Sequence, residues 1–261
     1  MKRRGLGVVA AMAMSVGATG AEAEHFVLVH GAWHVASAWD GVIAELEKRG
    51  HTAEAVVLPG FGADADRGKV TFAEMEAALV GAVEASEEPV VLVGHSAAGV
   101  LLQEAAGKVA GKLEAVVFHD AFLVPDGTSL SDALPPEIGK IFADAAAASA
   151  DNSLPVDEGF WRHVLLAGVP EAKATEIIAM MVPQPYSYYT HKLDAASFAS
   201  VTAPKFVLLA TEDLSLPPGA WEGMATWLGS FQTVKIPGGH EVLLTDPAAV
   251  AEGLSQIADK L

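Results

Sequence analysis

A chain of 261 residues is long enough for one large domain or two small ones, and 51% hydrophobic against 19% charged residues excludes a disordered polypeptide. Sixteen Lys and Arg stand against 33 Asp and Glu, and the net charge of −17 argues against nucleic acid or an anionic membrane surface as partner. The lack of cysteine removes disulfides, thiolate metal sites, iron–sulfur clusters and a cysteine nucleophile together.

The N-terminus reads as an export signal. Lys2, Arg3 and Arg4 form a basic start, Gly5 to Gly20 is apolar and small, and Ala21-Glu22-Ala23 has the A-x-A form of a cleavage site. A membrane anchor would need about 20 strongly apolar residues, whereas this stretch is rich in glycine and alanine. The pattern predicts a signal peptide over 1–23, a folded domain over 24–261, and an exported protein, periplasmic or secreted, with no membrane contact after cleavage.

His25 to His30 is a short apolar β-rich run that predicts a buried parallel strand. Ser37 and Asp40 fit a helix N-cap, with Gly50 as the stop. Ala55 to Leu58 reads as a second strand, Pro59-Gly60-Phe61-Gly62 breaks the chain, and Thr71 with Glu74 forms a capping box for a helix over Phe72 to Ala85. Asp64 and Asp66 in the intervening loop read as a solvated turn. A strand at Val90 to Val93, a helix over Leu101 to Val109 and a strand at Ala115 to Phe118 follow. From about 125 to 200 no strand is predicted, only helical stretches punctuated by prolines. The alternation then resumes with a strand at Lys205 to Ala210, a helix over Pro218 to Leu228, a strand at Phe231 to Ile236 and a helix over Pro247 to Leu261. The fold class is therefore α/β: a mostly parallel sheet with helices on both faces. A helical cap is inserted before the last two strands, over the edge where such sheets bind ligands.

The strand Val90 to Val93 runs into Gly94-His95-Ser96-Ala97-Ala98-Gly99 and then a helix, which sets Ser96 on a sharp strand-to-helix turn. Gly94, Ala97, Ala98 and Gly99 supply the small neighbours that such a turn needs. Ala98 stands where the G-x-S-x-G pattern has its second glycine, and Gly99 comes one position late. A serine hydroxyl needs a histidine base and a carboxylate that orients the base. Of nine histidines, His240 sits in a Gly-rich loop between the last strand and the last helix, and is the expected base. His30, His34, His95 and His119 read as hydrogen-bonded structural groups, and His51, His163 and His191 as surface or cap residues. Asp213, after the strand Lys205 to Ala210, keeps the chain order Ser…Asp…His, with Asp120 as the alternative acid and Glu212 as a solvated charge. The backbone amides of Ala32 and Ala97 are the candidate oxyanion donors, Ala97 because it opens the helix after the serine.

These residues resemble the α/β-hydrolase superfamily over essentially all of 24–261. His25 to His34 (HFVLVHGAWH), Gly50-His51, Val93-Gly94-His95-Ser96, Thr211-Glu212-Asp213 and Gly239-His240 look like the methyl-salicylate esterase and hydroxynitrile lyase branch and its bacterial relatives. The resemblance implies Ser96, Asp213 and His240 as triad and Ala32 and Ala97 as oxyanion hole. It also implies a choice between ester hydrolysis and cyanohydrin cleavage. Plant-type lyases carry a threonine and a lysine where this chain has Gly31 and Glu241, so no cation is placed for a leaving cyanide. The expectation is a serine esterase acting on a small-molecule ester without cofactor or metal, its rate falling below about pH 6 as His240 takes a proton. A hydroxynitrile lyase, a cofactor-free perhydrolase and a non-turnover receptor are the alternatives. Trp33, Phe122, Trp161, Met181 and Tyr186 are the expected pocket residues, with Phe160, Met180, Tyr188 and Tyr189 as further aromatic or apolar candidates in the cap.

Overall fold

The computed structural model describes residues 23–62 and 65–261, so residues 1–22 of the predicted signal segment, and Asp64, lie outside the described part. Strands β1 (His25–Val29), β2 (Thr52–Ala55), β3 (Val90–His95) and β4 (Leu113–His119) alternate with helices α1 (Asp40–Lys48), α2 (Phe72–Ala85) and α3 (Ala98–Ala105). Between β4 and the strand that follows in the sheet lie α4 (Leu130–Ala133), α5 (Pro136–Ala148), β5 (Ser153–Leu154), α6 (Glu158–Phe160), α7 (Glu171–Ile178), β6 (Gln184–Pro185) and α8 (Ser187–Thr190). The chain ends with β7 (Lys205–Ala210), α9 (Ala220–Ala225), β8 (Gln232–Ile236), α10 (Val242–Thr245) and α11 (Pro247–Ala258).

The main sheet has the order β2-β1-β3-β4-β7-β8, and every neighbouring pair is parallel. Successive side chains on a strand point to opposite faces, and the inner strands are apolar at both parities, which calls for cover on both sides. Val27, Val29, Leu92, Val116 and Phe118 enter the core shared with α2, α3 and the cap. Their neighbours Phe26, Leu28, Val91, Val93 and Val117 enter the second core, under α1 and α11.

Several boundaries differ from the sequence pattern for local reasons. β2 starts at Thr52 because it pairs in register with His25 of β1 and has ended by Val57, which is 77% exposed. As an edge strand it alternates exposed and half-buried residues, which hides it from an apolar-run criterion. The Ser37/Asp40 cap does not form: a 3-10 turn over Ala36–Trp39 feeds directly into α1, with no side-chain cap. The capping box of α2 forms as the spacing predicts, Thr71 taking the Glu74 amide while the Glu74 side chain accepts from the Thr71 amide. The cap holds one antiparallel ribbon, β5 with β6, where no strand is predicted; two residues per strand are too few to show a period.

Candidate active site

The carboxyl ends of β3, β4 and β7 and the loop after β8 meet under the cap, and that edge carries the chemistry-bearing side chains. At the end of β3 the chain turns so sharply that Ser96 takes a left-handed φ of +53°, a strained state for a residue with a Cβ. The turn is over-determined by its neighbours. The Ser96 amide donates to His119 O at 3.1 Å, and Ser96 O accepts from Gly99 N and Phe122 N at 3.1 and 3.0 Å. A Cβ at Gly99 would stand 2.1 Å from Phe122 O, and one at Gly31 would stand 2.9 Å from the Ser96 Cβ. The glycine that this turn requires is thus Gly99, and Ala98 fits its place at the start of α3.

Ser96 Oγ lies 3.0 Å from His240 Nε2, and His240 Nδ1 lies 2.8 Å from Asp213 Oδ2, so hydroxyl, imidazole and carboxylate form one hydrogen-bonded series. All three are shielded: Ser96 and His240 are buried, and the Asp213 side chain is 1% exposed. Asp213 is held by two further donors, the Ser215 amide on Oδ1 at 2.7 Å and the Trp221 indole on Oδ2 at 2.8 Å. Burial by itself would disfavour both charges. The mutual attraction outweighs it, lifting His240 to about 9 and holding the Asp213 carboxyl well below the usual carboxylate range. An acid limb set by His240 would accordingly lie above the value of about pH 6 expected for an ordinary imidazole.

Asp120 also reaches this edge, with φ +38°, but its carboxyl is turned to the Ala210 amide at 3.1 and 3.2 Å. Burial, then the nearby Asp213 charge, push it well above the normal range. The donor atoms of Asp120, Asp213 and His240 lie within 4.8 Å of one another, as do those of His34, His95 and Glu241. Neither set is a free ligand cluster: the first contains the Asp213–His240 hydrogen bond, and the second is closed by a 2.9 Å bond between His34 Nε2 and Glu241 Oε2.

The surrounding histidines hold backbone. His30 Nδ1–H donates to Gly31 O, His34 Nδ1–H to Ala32 O, His95 Nε2–H to His240 O and His119 Nδ1–H to Leu208 O. Burial pushes His30 and His119 down to about 4 and His95 well below 6.5, so these rings are neutral spacers at neutral pH. His51 departs from the surface expectation: it is buried and its Nδ1 accepts from the Glu24 amide. His191 stacks on Phe72 at 4.0 Å and bonds Glu104.

Ala97 is buried and immediately follows Ser96 at the start of α3, and Ala32 is buried in the wall of the cavity beside Ser96. The loop carrying Ala32 is fixed from three sides, by His30, by His34 and by Gln184, whose Oε1 accepts the Trp33 amide at 3.0 Å.

A cavity of about 300 Å³ opens onto Ser96 and His240. Trp33 and Phe122 line it, together with Phe142, Phe160, Tyr189 and Trp221. The structure places Trp161, Met181 and Tyr186 away from its wall. Trp161 is fully buried behind Trp33 and His34, at ring distances of 6.0 and 5.5 Å. Tyr186 stacks on the outer side of Tyr189 at 6.4 Å, and Met181 closes the turn after α7 through its amide to Ile178 O. Of the further candidates, Met180 is 49% exposed and Tyr188 is buried against Phe61 and Phe72. Sequence reasoning missed Ile138 and Phe142, which share one face of α5 at i, i+4 spacing, and Ser215 and Trp221, which carry no local pattern. Among the described residues the cavity wall contains no lysine or arginine.

Residues 26–253 match the model of the alpha/beta hydrolase family. The chain is 31% identical over 242 residues to a carbendazim-hydrolyzing esterase of Nocardioides sp. (strain SG-4G), with 89% of this chain and 99% of that protein covered. It is 28% identical over 254 residues to an alpha-hydroxynitrile lyase of Arabidopsis thaliana, at 90% and 96% coverage. Among solved structures it is similar to an extracellular alpha/beta-hydrolase from a Paenibacillus species that is described as sharing structural and functional homology with tobacco salicylic acid binding protein 2. That match has a TM-score of 0.83 at 31% identity and covers 89% of this chain and 98% of the other.

Proposed function

The chain belongs to the alpha/beta hydrolase family and is a carboxylic ester hydrolase, and on that premise we propose that it cleaves small, uncharged esters through Ser96, His240 and Asp213 by way of an acyl-enzyme. The hydrogen-bonded series from Ser96 Oγ through His240 to Asp213, at 3.0 and 2.8 Å, carries this reading. His240 takes the Ser96 proton as the oxygen attacks the ester carbonyl, and the amides of Ala32 and Ala97 hold the oxyanion. The proton then passes from His240 to the departing alcohol, and water releases the acid by the reverse sequence. Asp213 fixes the Nδ1–H tautomer, so that Nε2 is free to accept. No cofactor enters any of these steps.

The cavity supports an apolar, neutral substrate, since its wall is mostly aromatic and aliphatic and offers no lysine or arginine to a carboxylate. The same feature disfavours the lyase alternative: the position after His240 is Glu241, bonded to His34, and supplies no positive charge for cyanide. An extracellular relative supports export, as does the Ala21-Glu22-Ala23 pattern. Among the described residues no helix is long and apolar enough to cross a membrane.

The test is steady-state hydrolysis of p-nitrophenyl esters from acetate to octanoate by the protein and by Ser96→Ala. Turnover that vanishes in the variant supports the serine mechanism. Turnover unchanged in Ser96→Ala refutes it, and no turnover on any of the esters shifts weight to a perhydrolase, a lyase or a receptor.

A further inference from the structure

Two residues outside the series touch two of its members and the substrate cavity together: Ser215, with its amide on Asp213 Oδ1 at 2.7 Å and its hydroxyl 3.4 Å from His240 Nδ1, and Trp221, which alone does so through an aromatic face. Trp221, on α9, donates its indole N–H to Asp213 Oδ2 at 2.8 Å, the same oxygen that takes the Nδ1–H of His240 at 2.8 Å. Its ring lies over the His240 imidazole with planes 10° apart and centroids 5.7 Å apart. It also meets Phe122 edge to face at 5.1 Å, and both rings line the cavity. Holding Asp213 would require only the first of these contacts.

We propose that Trp221 is a positioning residue that tunes the base through Asp213 and forms, with Phe122, the wall on which a flat apolar part of the ester rests. This deepens the serine-esterase reading and rests on it. Two donors on one carboxylate oxygen divide its negative charge, so the indole weakens the pull of Asp213 on the His240 proton. The other charged or titratable groups facing His240 are Glu241 on its own loop, Asp120 and His119 at the end of β4, and His95 at the end of β3. None of them touches the substrate wall and Asp213 at once. Without the indole N–H, Asp213 keeps the Ser215 amide and His240, and its charge falls more fully on the imidazolium. The base then needs a higher pH to become free.

Trp221→Phe keeps a flat ring and removes the donor, while Trp221→Leu removes the ring as well. In Trp221→Phe the acid limb of kcat/KM is expected to move upward by about half a pH unit or more, with kcat near pH 7 down about threefold or more and recovering at high pH, and KM little changed. In Trp221→Leu, KM is expected to rise for p-nitrophenyl benzoate and to stay near the original for the acetate. A second readout needs no turnover. A protonated imidazole stacked on an indole quenches its emission, so the Ser96→Ala protein is expected to show a fluorescence titration that disappears on adding either Trp221→Phe or His240→Gln. A loss of activity uniform across pH in Trp221→Phe, with the limb unmoved, overturns the tuning role. A Ser96→Ala protein without such a titration overturns the stacking claim even if Trp221→Phe fails to fold. If the titration is present and no ester is turned over, the esterase reading fails while the Trp221–His240 contact stands.

Discussion

Replacing Asp213 by Asn keeps the shape of the acid and removes its charge. The structure gives the size of what is lost. His240 is buried, which alone would lower its proton affinity, yet Asp213 at 2.8 Å, with smaller contributions from Glu241 and Asp120, raises it from 6.5 to about 9. That rise corresponds to a preference for the imidazolium on the order of 3 kcal/mol. In Asp213→Asn this preference goes, and the amide can donate to Nδ1 and drive the ring into the tautomer whose Nε2–H faces Ser96. A loss in kcat of roughly 10³- to 10⁴-fold is expected, the scale known for the same change in a serine protease triad. The limb of kcat/KM is expected to fall from near 9 toward the ordinary imidazole range, with burial lowering it and the Glu241 and Asp120 carboxyls opposing burial. The assay is the pH profile of p-nitrophenyl ester hydrolysis from pH 5 to 10, with a thermal melt to show that the variant is folded. Activity within about tenfold of the parent, or a limb that stays in place, would refute the role of Asp213. A large loss in Asp120→Asn instead would assign it to the neighbouring carboxyl, which the geometry turns toward the Ala210 amide.

Gly99→Ala puts a Cβ 2.1 Å from Phe122 O, a backbone atom with no easy escape, so an overpacking cost of about 1–3 kcal/mol and a Tm lower by roughly 2–12 °C are expected in a scanning melt. Phe142→Ala enlarges the cavity beside Ile138 and should shift the chain-length optimum of p-nitrophenyl esters toward longer acyl groups, at a cost in stability of about 3–5 kcal/mol; an unchanged optimum would remove Phe142 from the acyl wall. Urea unfolding at a series of pH values should show stability falling as pH drops from 6.5 to 4. His30 and His119 bind protons at 6.5 when unfolded and at about 4 when folded, so each costs up to an amount on the order of 3 kcal/mol across that window. Asp120, raised when folded, opposes this trend, and Asp213, lowered when folded, withdraws its contribution only below its unfolded value of 3.8. His240, raised when folded, stabilises fully below 6.5 and loses that contribution as pH climbs through about 9. A flat profile between pH 6.5 and 4 would contradict the burial of these histidines as neutral groups.

What the sequence makes legible here is what local chemistry dictates. The capping box of α2 needs only Thr71 and Glu74 three residues apart, and it forms as spaced. The turn at Ser96 needs a strand, a run of small residues and a helix within a dozen positions, and Gly99 rather than residue 98 proves to be the position where a Cβ would strike backbone. The inner strands announce themselves by being apolar at both parities, whereas β2, at the sheet edge, alternates exposed and half-buried positions and is displaced in an apolar-run reading. The likeness to the methyl-salicylate esterase and hydroxynitrile lyase branch likewise rests on short runs at strand ends, and it is matched by relatives that span nearly the whole chain.

The pocket follows a different rule. An aromatic residue in a cap has the same local signature whether it faces the substrate or supports the residue that does. Trp33 lines the cavity and Trp161 stands 6.0 Å behind it, both buried, and only the path of the intervening chain distinguishes them. Trp221 illustrates the rule from the other side. It lies eight residues after Asp213 on a helix of six residues, with no motif around it, yet the fold brings its N–H to the carboxylate and its face to the imidazole. On the proposed mechanism, reactivity is written in short segments at the ends of β3, β7 and β8. Selectivity depends on contacts between elements far apart in sequence, so substitutions in the cap and in α9 should alter which ester is cleaved more readily than whether one is.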